Sequence, residues 1–185
     1  MDFTFLELLN SLRGQSFLLE GLMQNLSNNL FGLFLAFFVV PYFLYRSQAQ
    51  FLWIFIFWIL TIGVTDFSAN LLKSFFLDFR PCFSDYSYLL DNNGQVLKQC
   101  SATLTGMPSN HSANFFAGSL FLLTIFKINR YSLIFLLISF SVALSRVYLG
   151  KHFPHQVLAG AAYGAFLGAF GGYVYLKIFS KNSLN

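Results

Sequence analysis

Long apolar runs separated by short polar segments restrict this chain to one kind of architecture. Phe51–Leu72 contains a single charged side chain, Asp66, and Val157–Phe179 contains only Lys177. Runs of this kind exceed the roughly 17 residues that a helix needs to cross a bilayer. Inside lipid a helix is also one of the few structures that satisfies its own backbone groups. Reading the other runs the same way predicts five spans: Leu30–Tyr45, Phe51–Leu72, Ser112–Phe126, Tyr131–Leu149 and Val157–Phe179. The expected fold is all-α, a polytopic membrane helix bundle at 30–179 within one domain, 1–185. Composition agrees: charged residues are 10% of the chain, against about 25% in soluble domains.

The segments outside the spans are distinctive. Met1–Leu12 alternates Phe and Leu with Asp2, Glu7 and Asn10, and Ser16 can cap a second short helix to about Leu26. Both are too polar to span, so 1–29 reads as interfacial helices, with a core-packed hairpin as the alternative. Residues 81–107 form a long polar loop around the turn signal Asn92-Asn93-Gly94. Cys82 and Cys100 flank that loop, either as a disulfide or as two ordinary thiols. In the last span Gly160, Gly164, Gly168 and Gly172 recur every four residues, a stripe that lets another helix approach closely.

Polar groups are rationed to the ends of the spans. Asp66, Asn70 and Lys73 share one helical face that must look into the bundle. The three histidines, His111, His152 and His155, all fall in two short polar segments. The net charge of +4 is scattered rather than blocked, which argues against nucleic acid and suits an anionic substrate at a cationic mouth. With five spans the polar stretches meet on one side. Once the site cations Lys73, Arg80, Arg146 and Lys151 are set aside, Arg13 and Lys98 remain there, against Arg46, Lys127, Arg130, Lys177 and Lys181 opposite. The positive-inside rule then turns the site away from the cytoplasm, toward the periplasm or outside of a cell (inner) membrane. A disulfide between Cys82 and Cys100 would agree with that orientation.

Three polar pieces carry a resemblance: Lys73 to Arg80-Pro81, Pro108-Ser109-Asn110-His111, and Ser145-Arg146 followed by His152. In order and spacing they are similar to the signature K-x6-R-P, P-S-G-H, S-R-x5-H-x3-D of the type-2 phosphatidate phosphatase superfamily. The resemblance implies a membrane phosphatase with His152 as nucleophile and His111 as general acid and then base. It also implies that Lys73, Arg80, Ser109, Asn110 and Arg146 hold the phosphate, with no cofactor and no metal. Phosphoryl transfer asks mainly for positioning and charge stabilisation, which these residue types supply. Asn110 stands where the family has Gly, a mild departure because Asn tolerates left-handed backbone angles. Gln156 stands where the family has Asp; it can orient His152 as an acceptor but without charge. His-Phe-Pro-His-Gln at 152–156 resembles the glucose-6-phosphatase branch, which carries Gln there. His155 is either a further partner or a plain helix-start residue. If Gln156 sits at the Asp position, Gln156→Asp is expected to be tolerated.

The expected substrate is a membrane lipid phosphate or diphosphate, with undecaprenyl diphosphate favoured. Phosphatidylglycerophosphate, phosphatidate, a lipid A phosphate or a sugar phosphate are alternatives. A non-catalytic lipid-phosphate binding or transport protein is the competing class.

Overall fold

The computed structural model describes residues 2–41, 51–81 and 104–179. Cys82 and Cys100, and most of the loop expected at 81–107, lie outside the described residues. Among the described residues every regular element is helical. In chain order these are α1 (Asp2–Asn10), α2 (Phe17–Leu26), α3 (Asn29–Phe34, continued by a π-helical turn at Leu35–Val39), α4 (Phe51–Lys73), α5 (Asn110–Phe126), α6 (Arg130–Tyr148) and α7 (Pro154–Phe179).

Local chemistry sets the helix starts. Ser16 caps α2 by accepting from the Leu19 N–H, and Asn28 caps α3 by accepting from the Leu30 N–H. At α6, Asn129 and Ser132 form a reciprocal capping box. α7 begins at Pro154, three residues before the expected Val157, because proline's fixed φ suits the first helical position.

Among the described residues three helices, α4, α6 and α7, are long and apolar enough to cross a membrane. Of the five expected spans, Leu30–Tyr45 lies partly outside the described residues and Ser112–Phe126 corresponds to α5. α5 has 17 residues and sits in the middle of the bundle, with α4, α6 and α7 packed around it. Its polar side chains are spent on neighbours: Ser119 donates to the Phe135 carbonyl at 2.9 Å, and Ser139 of α6 donates back to the Phe115 carbonyl at 2.8 Å. Such hydrogen bonds hold helices together where lipid supplies no hydrophobic drive between them.

The tightest seam joins α5 to α7, and the glycine stripe makes it. A Cβ on Gly160 would meet the Ser109 carbonyl oxygen at 2.5 Å, and one on Gly172 would meet Thr124 Cβ at 2.8 Å. Between them, Gly164 and Gly168 face the backbone carbonyls of Ala113 and Ala117 even more closely. Only hydrogen fits at these positions, so the expected packing role of the stripe is met by backbone-to-backbone approach.

One apolar cluster, built on Ile54, Trp58, Phe121, Phe135 and Tyr175, fills the half of the bundle remote from the polar motifs. A second, of Leu6, Phe116, Ala143, Val147, Phe153 and Val157, lies beneath the turn that joins α6 to α7. Leu6 brings α1 into that cluster, and Asn10 donates to the Tyr148 carbonyl at 3.2 Å. Arg13 and Glu20 form a buried ion pair at 2.8 Å, and the Tyr148 hydroxyl donates to the same carboxylate at 2.9 Å. Burial by itself would raise the Glu20 pKa, but the donors Arg13, Gln24 and Tyr148 hold it below the usual carboxylate value. The N-terminal helices are therefore docked on the bundle, while Phe17, Leu18 and Leu22 of α2 remain exposed.

Candidate active site

The turn after α6 explains the spacing between Arg146 and His152. Gly150 takes a left-handed φ of 65° at the position just past the helix end. The Gly150 N–H bonds the Val147 carbonyl at 2.9 Å, and the Lys151 N–H bonds the Arg146 carbonyl at 3.0 Å. This Schellman pattern reverses the chain within one turn, and His152 N–H also reaches the Arg146 carbonyl, at 3.3 Å. His152 is thereby brought back beside Arg146, and its side chain is only 2% exposed.

Gln156 then fixes the ring. It is the third residue of α7, and its Oε1 accepts from the Phe153 N–H at 3.1 Å, one arm of a capping box. The same oxygen lies 3.1 Å from His152 Nδ1. On the other side, Gln156 Nε2 donates to Asp78 Oδ2 at 2.8 Å and to the Phe79 carbonyl at 2.6 Å. Two acceptors facing Nε2 and an amide donor facing Oε1 leave one orientation of this amide. Nδ1 of His152 must therefore carry its proton, and Nε2 is the ring's open lone pair. His155 points elsewhere: its Nε2 is 2.9 Å from the same Asp78 oxygen. Gly106 closes the unit, donating its N–H to the Asp78 carbonyl at 2.8 Å in a space where a Cβ would strike Gln156 Nε2.

This arrangement weighs against the expected tolerance of Gln156→Asp. A carboxylate at 156 would face Asp78 and a carbonyl oxygen, both acceptors, and would lose the donor that both require.

The cations converge on His152. Burial lowers its pKa well below the ordinary imidazole value, and the charges of Arg146, Arg80 and Lys73 push in the same direction, with the Gln156 bond opposing. Arg80 is lowered by burial; its terminal nitrogen donates to the Thr105 carbonyl at 3.4 Å. Lys151, at the rim, is brought down to about 8, first by desolvation of its ammonium and then by Arg146, Arg13 and Arg80. Arg146 is 6% exposed and donates to the Ser27 carbonyl at 3.2 Å and to the Ser27 hydroxyl. His111, on the first turn of α5, bonds the backbone of the same Ser27 and lies in the field of Arg146. Three buried donors from three separate segments, Arg80 Nε, Ser109 Oγ and Arg146 Nε, have no partner among the described residues. Ser109 is the N-cap of α5 yet makes no side-chain cap bond, so its hydroxyl and the first-turn amides are left for an anion.

Asn110 behaves differently from expectation. It is not in a left-handed conformation but begins α5, and its Nδ2 donates to Asp66 Oδ1 and Asn70 Oδ1, each at 2.9 Å. Asn114 adds a bond to the same Asp66 oxygen, at 2.8 Å. The inward face predicted for Asp66, Asn70 and Lys73 thus anchors the start of α5 to the end of α4. From His111 and Asn114 a cavity of about 430 Å³ runs between α3, α4, α5 and α6, walled by Leu33, Ala36, Trp58, Phe115 and Phe135.

Of the expected site residues, Lys73, Arg80, Arg146, His152 and Gln156 meet directly or through each other's fields, and Ser109 and His111 stand at the adjoining helix start. Asp78 and Ser27 were missed. Their partners lie 78 and 119 residues away in sequence, and nothing local announces either contact.

The fold and this polar end define a helical membrane protein with cationic and histidine side chains gathered at one end. Residues 59–180 match the family model described as PAP2 superfamily, and the chain belongs to that superfamily. It is 37% identical over 76 residues to a lipid A 4'-phosphatase of Bacteroides thetaiotaomicron, covering 41% of this chain and 32% of that protein. It is 30% identical over 136 residues to a lipid A 1-phosphatase of Rhizobium etli, covering 71% of this chain and 56% of that protein. The chain thus spans about a third and about half of the length of these two relatives. No solved structure matches the chain significantly.

Proposed function

We propose that this protein is a membrane phosphatase that removes phosphate from a lipid, with the phosphorylated sugar headgroup of lipid A as the leading substrate class. The observation that carries the reading is the set of buried donors without a partner among the described residues, Arg80 Nε, Ser109 Oγ and Arg146 Nε, near a histidine whose second nitrogen is already tied down. The apolar cavity that opens at His111 suits an acyl chain and favours a lipid over a soluble sugar phosphate. Its resemblance to two lipid A phosphatases supports the headgroup. The proposed setting is a cell membrane with the site facing away from the cytoplasm.

In this reading His152 Nε2 attacks phosphorus while Lys73, Arg80, Ser109 and Arg146 hold the equatorial oxygens, with Asn110 anchoring the helix start beside them. The phosphorus–oxygen bond to the lipid breaks as His111, its cationic form supported against burial and Arg146 by the negative charge of the bound phosphate, donates a proton to the leaving oxygen. The resulting phosphohistidine is cleaved by water, whose proton passes to His111, and inorganic phosphate leaves. The low proton affinity of His152 suits the first step, because only the neutral ring is a nucleophile. Gln156 holds its tautomer.

Phosphate release by purified protein in EDTA, measured on lipid A, undecaprenyl diphosphate, phosphatidate, phosphatidylglycerophosphate and glucose 6-phosphate, tests the proposal. Turnover is expected on lipid A, and His152→Ala is expected to lose about a thousandfold or more together with any trapped phosphoenzyme. Substrate binding without phosphate release by the wild type would replace the enzyme with a binding protein. Residual turnover in His152→Ala close to that of the wild type would remove His152 as nucleophile.

A further inference from the structure

Gln156 is bonded on one side to the catalytic ring and on the other to a carboxylate, and the second contact gives the amide a partner that sequence reading did not assign. We infer that Asp78 is a positioning residue for catalysis: it holds Gln156 in the orientation that fixes the His152 tautomer and supplies, through the amide, the negative end that Gln156 itself lacks. The inference rests on the phosphatase reading for its kinetic consequence but on geometry for its existence.

The chain of bonds runs from His152 Nδ1 to Gln156 Oε1 at 3.1 Å, and from Gln156 Nε2 to Asp78 Oδ2 at 2.8 Å. Each step has one possible polarity. Asp78 Oδ2 accepts, so Nε2 donates; the Phe153 N–H donates to Oε1, so the imidazole must donate to it as well. An amide that donates to an anion is a stronger acceptor at its oxygen, because hydrogen bonds in series polarise one another. The charged groups whose fields reach His152 are cations, Arg146, Arg80 and Lys73. An imidazolium forming there has its anionic support on the Gln156 side. Asp78 also takes His155 at 2.9 Å, with that ring stacked on Phe153 at 5.6 Å between centroids. The carboxylate therefore ties the segment after Lys73 to the first turn of α7, where a helix N-terminus favours negative charge.

A charge cycle separates this role from simple packing. Asp78→Asn keeps an acceptor for Gln156 and removes the charge, so kcat is expected to fall about tenfold with KM unchanged. The acid limb of kcat/KM should move to lower pH, since His152 loses support for its protonated form. Gln156→Glu sets two carboxylates against each other and is expected to lose about a hundredfold. In Asp78→Asn/Gln156→Glu the Asn amide can donate to the new carboxylate, and at least about tenfold of that loss should return. The double variant falling to the product of the single effects, or Asp78→Asn with a wild-type rate and pH profile, would overturn the relay. A readout without substrate closes the test: ¹⁵N-imidazole shifts of His152 in detergent should show the Nδ1–H tautomer in the wild type. Finding the Nε2–H tautomer overturns the relay whatever the activity. Absence of phosphate release by the wild type overturns the phosphatase reading, and the tautomer still decides the relay.

Discussion

The α5–α7 seam and the polar end of the bundle are held together by opposite means. Along the seam helix backbones approach almost directly, with Thr124 at one end, and Gly160, Gly164, Gly168 and Gly172 contribute by having no side chain. At the polar end the starts of these two helices, and Arg146 beside them, are tied to other elements by long side chains reaching far across the sequence: Asp66 of α4 to Asn110 and Asn114, Asp78 to Gln156 and His155, Arg146 to Ser27. The seam sets how close α5 and α7 stand, and the polar network sets where their starts point. A seam of this kind should be intolerant of volume and indifferent to charge. The network should behave the other way round.

The largest effect should come from volume in the seam. Gly164→Leu drives a side chain into the Ala113 backbone and should cost several kcal/mol, beyond the ~1–3 kcal/mol usual for overpacking, because backbone cannot repack. Thermal unfolding in detergent should show loss of the cooperative transition. Gly63→Ala is the control: nothing lies within 4 Å of its added Cβ, and a helix interior gains roughly 0.5–1 kcal/mol from the change. Equal loss in both variants would break the comparison.

Next comes a cut in the network without added volume. Ser27→Ala removes one acceptor from buried Arg146 and should cost about 1–3 kcal/mol, with phosphate release slowed more than folding is weakened. A change in stability alone would mean that Arg146 is held for structure and not for substrate.

The smallest effect is one of charge at the rim. Lys151 gives up its proton at about pH 8 in the folded protein, against 10.5 for an ordinary lysine. Below about pH 8 it is charged in both states. Between about 8 and 10.5 only the unfolded chain keeps the proton, so this group's penalty is relieved and stability rises with pH. Anion affinity moves the other way: KM for a lipid phosphate should rise as pH passes about 8. Lys151→Met should flatten that limb and leave the seam's response to Gly164→Leu unchanged.

The sequence by itself determined the class and most of the parts list. Apolar runs of spanning length required helices, because lipid offers backbone groups no other partner. The period-four glycines marked a close seam before any partner helix was known. Lys73, Arg80, Arg146 and His152 stood out because charge and imidazole are costly near lipid and were confined to a few segments, and the family resemblance added Ser109. Only the tertiary structure decided which side chains complete one another. It turned Asn110 from a backbone-permissive substitute into an anchor on Asp66, docked 2–27 onto α6 so that Ser27 meets Arg146, and gave Gln156 a carboxylate in Asp78. These contacts join residues separated by tens of positions, and hydrogen-bond pairing at that range depends on where the chain has been brought rather than on any local pattern of residues. The same reason limits the spans: apolarity reports that a run avoids water, but whether it meets lipid or, like α5, other helices is settled by what packs around it.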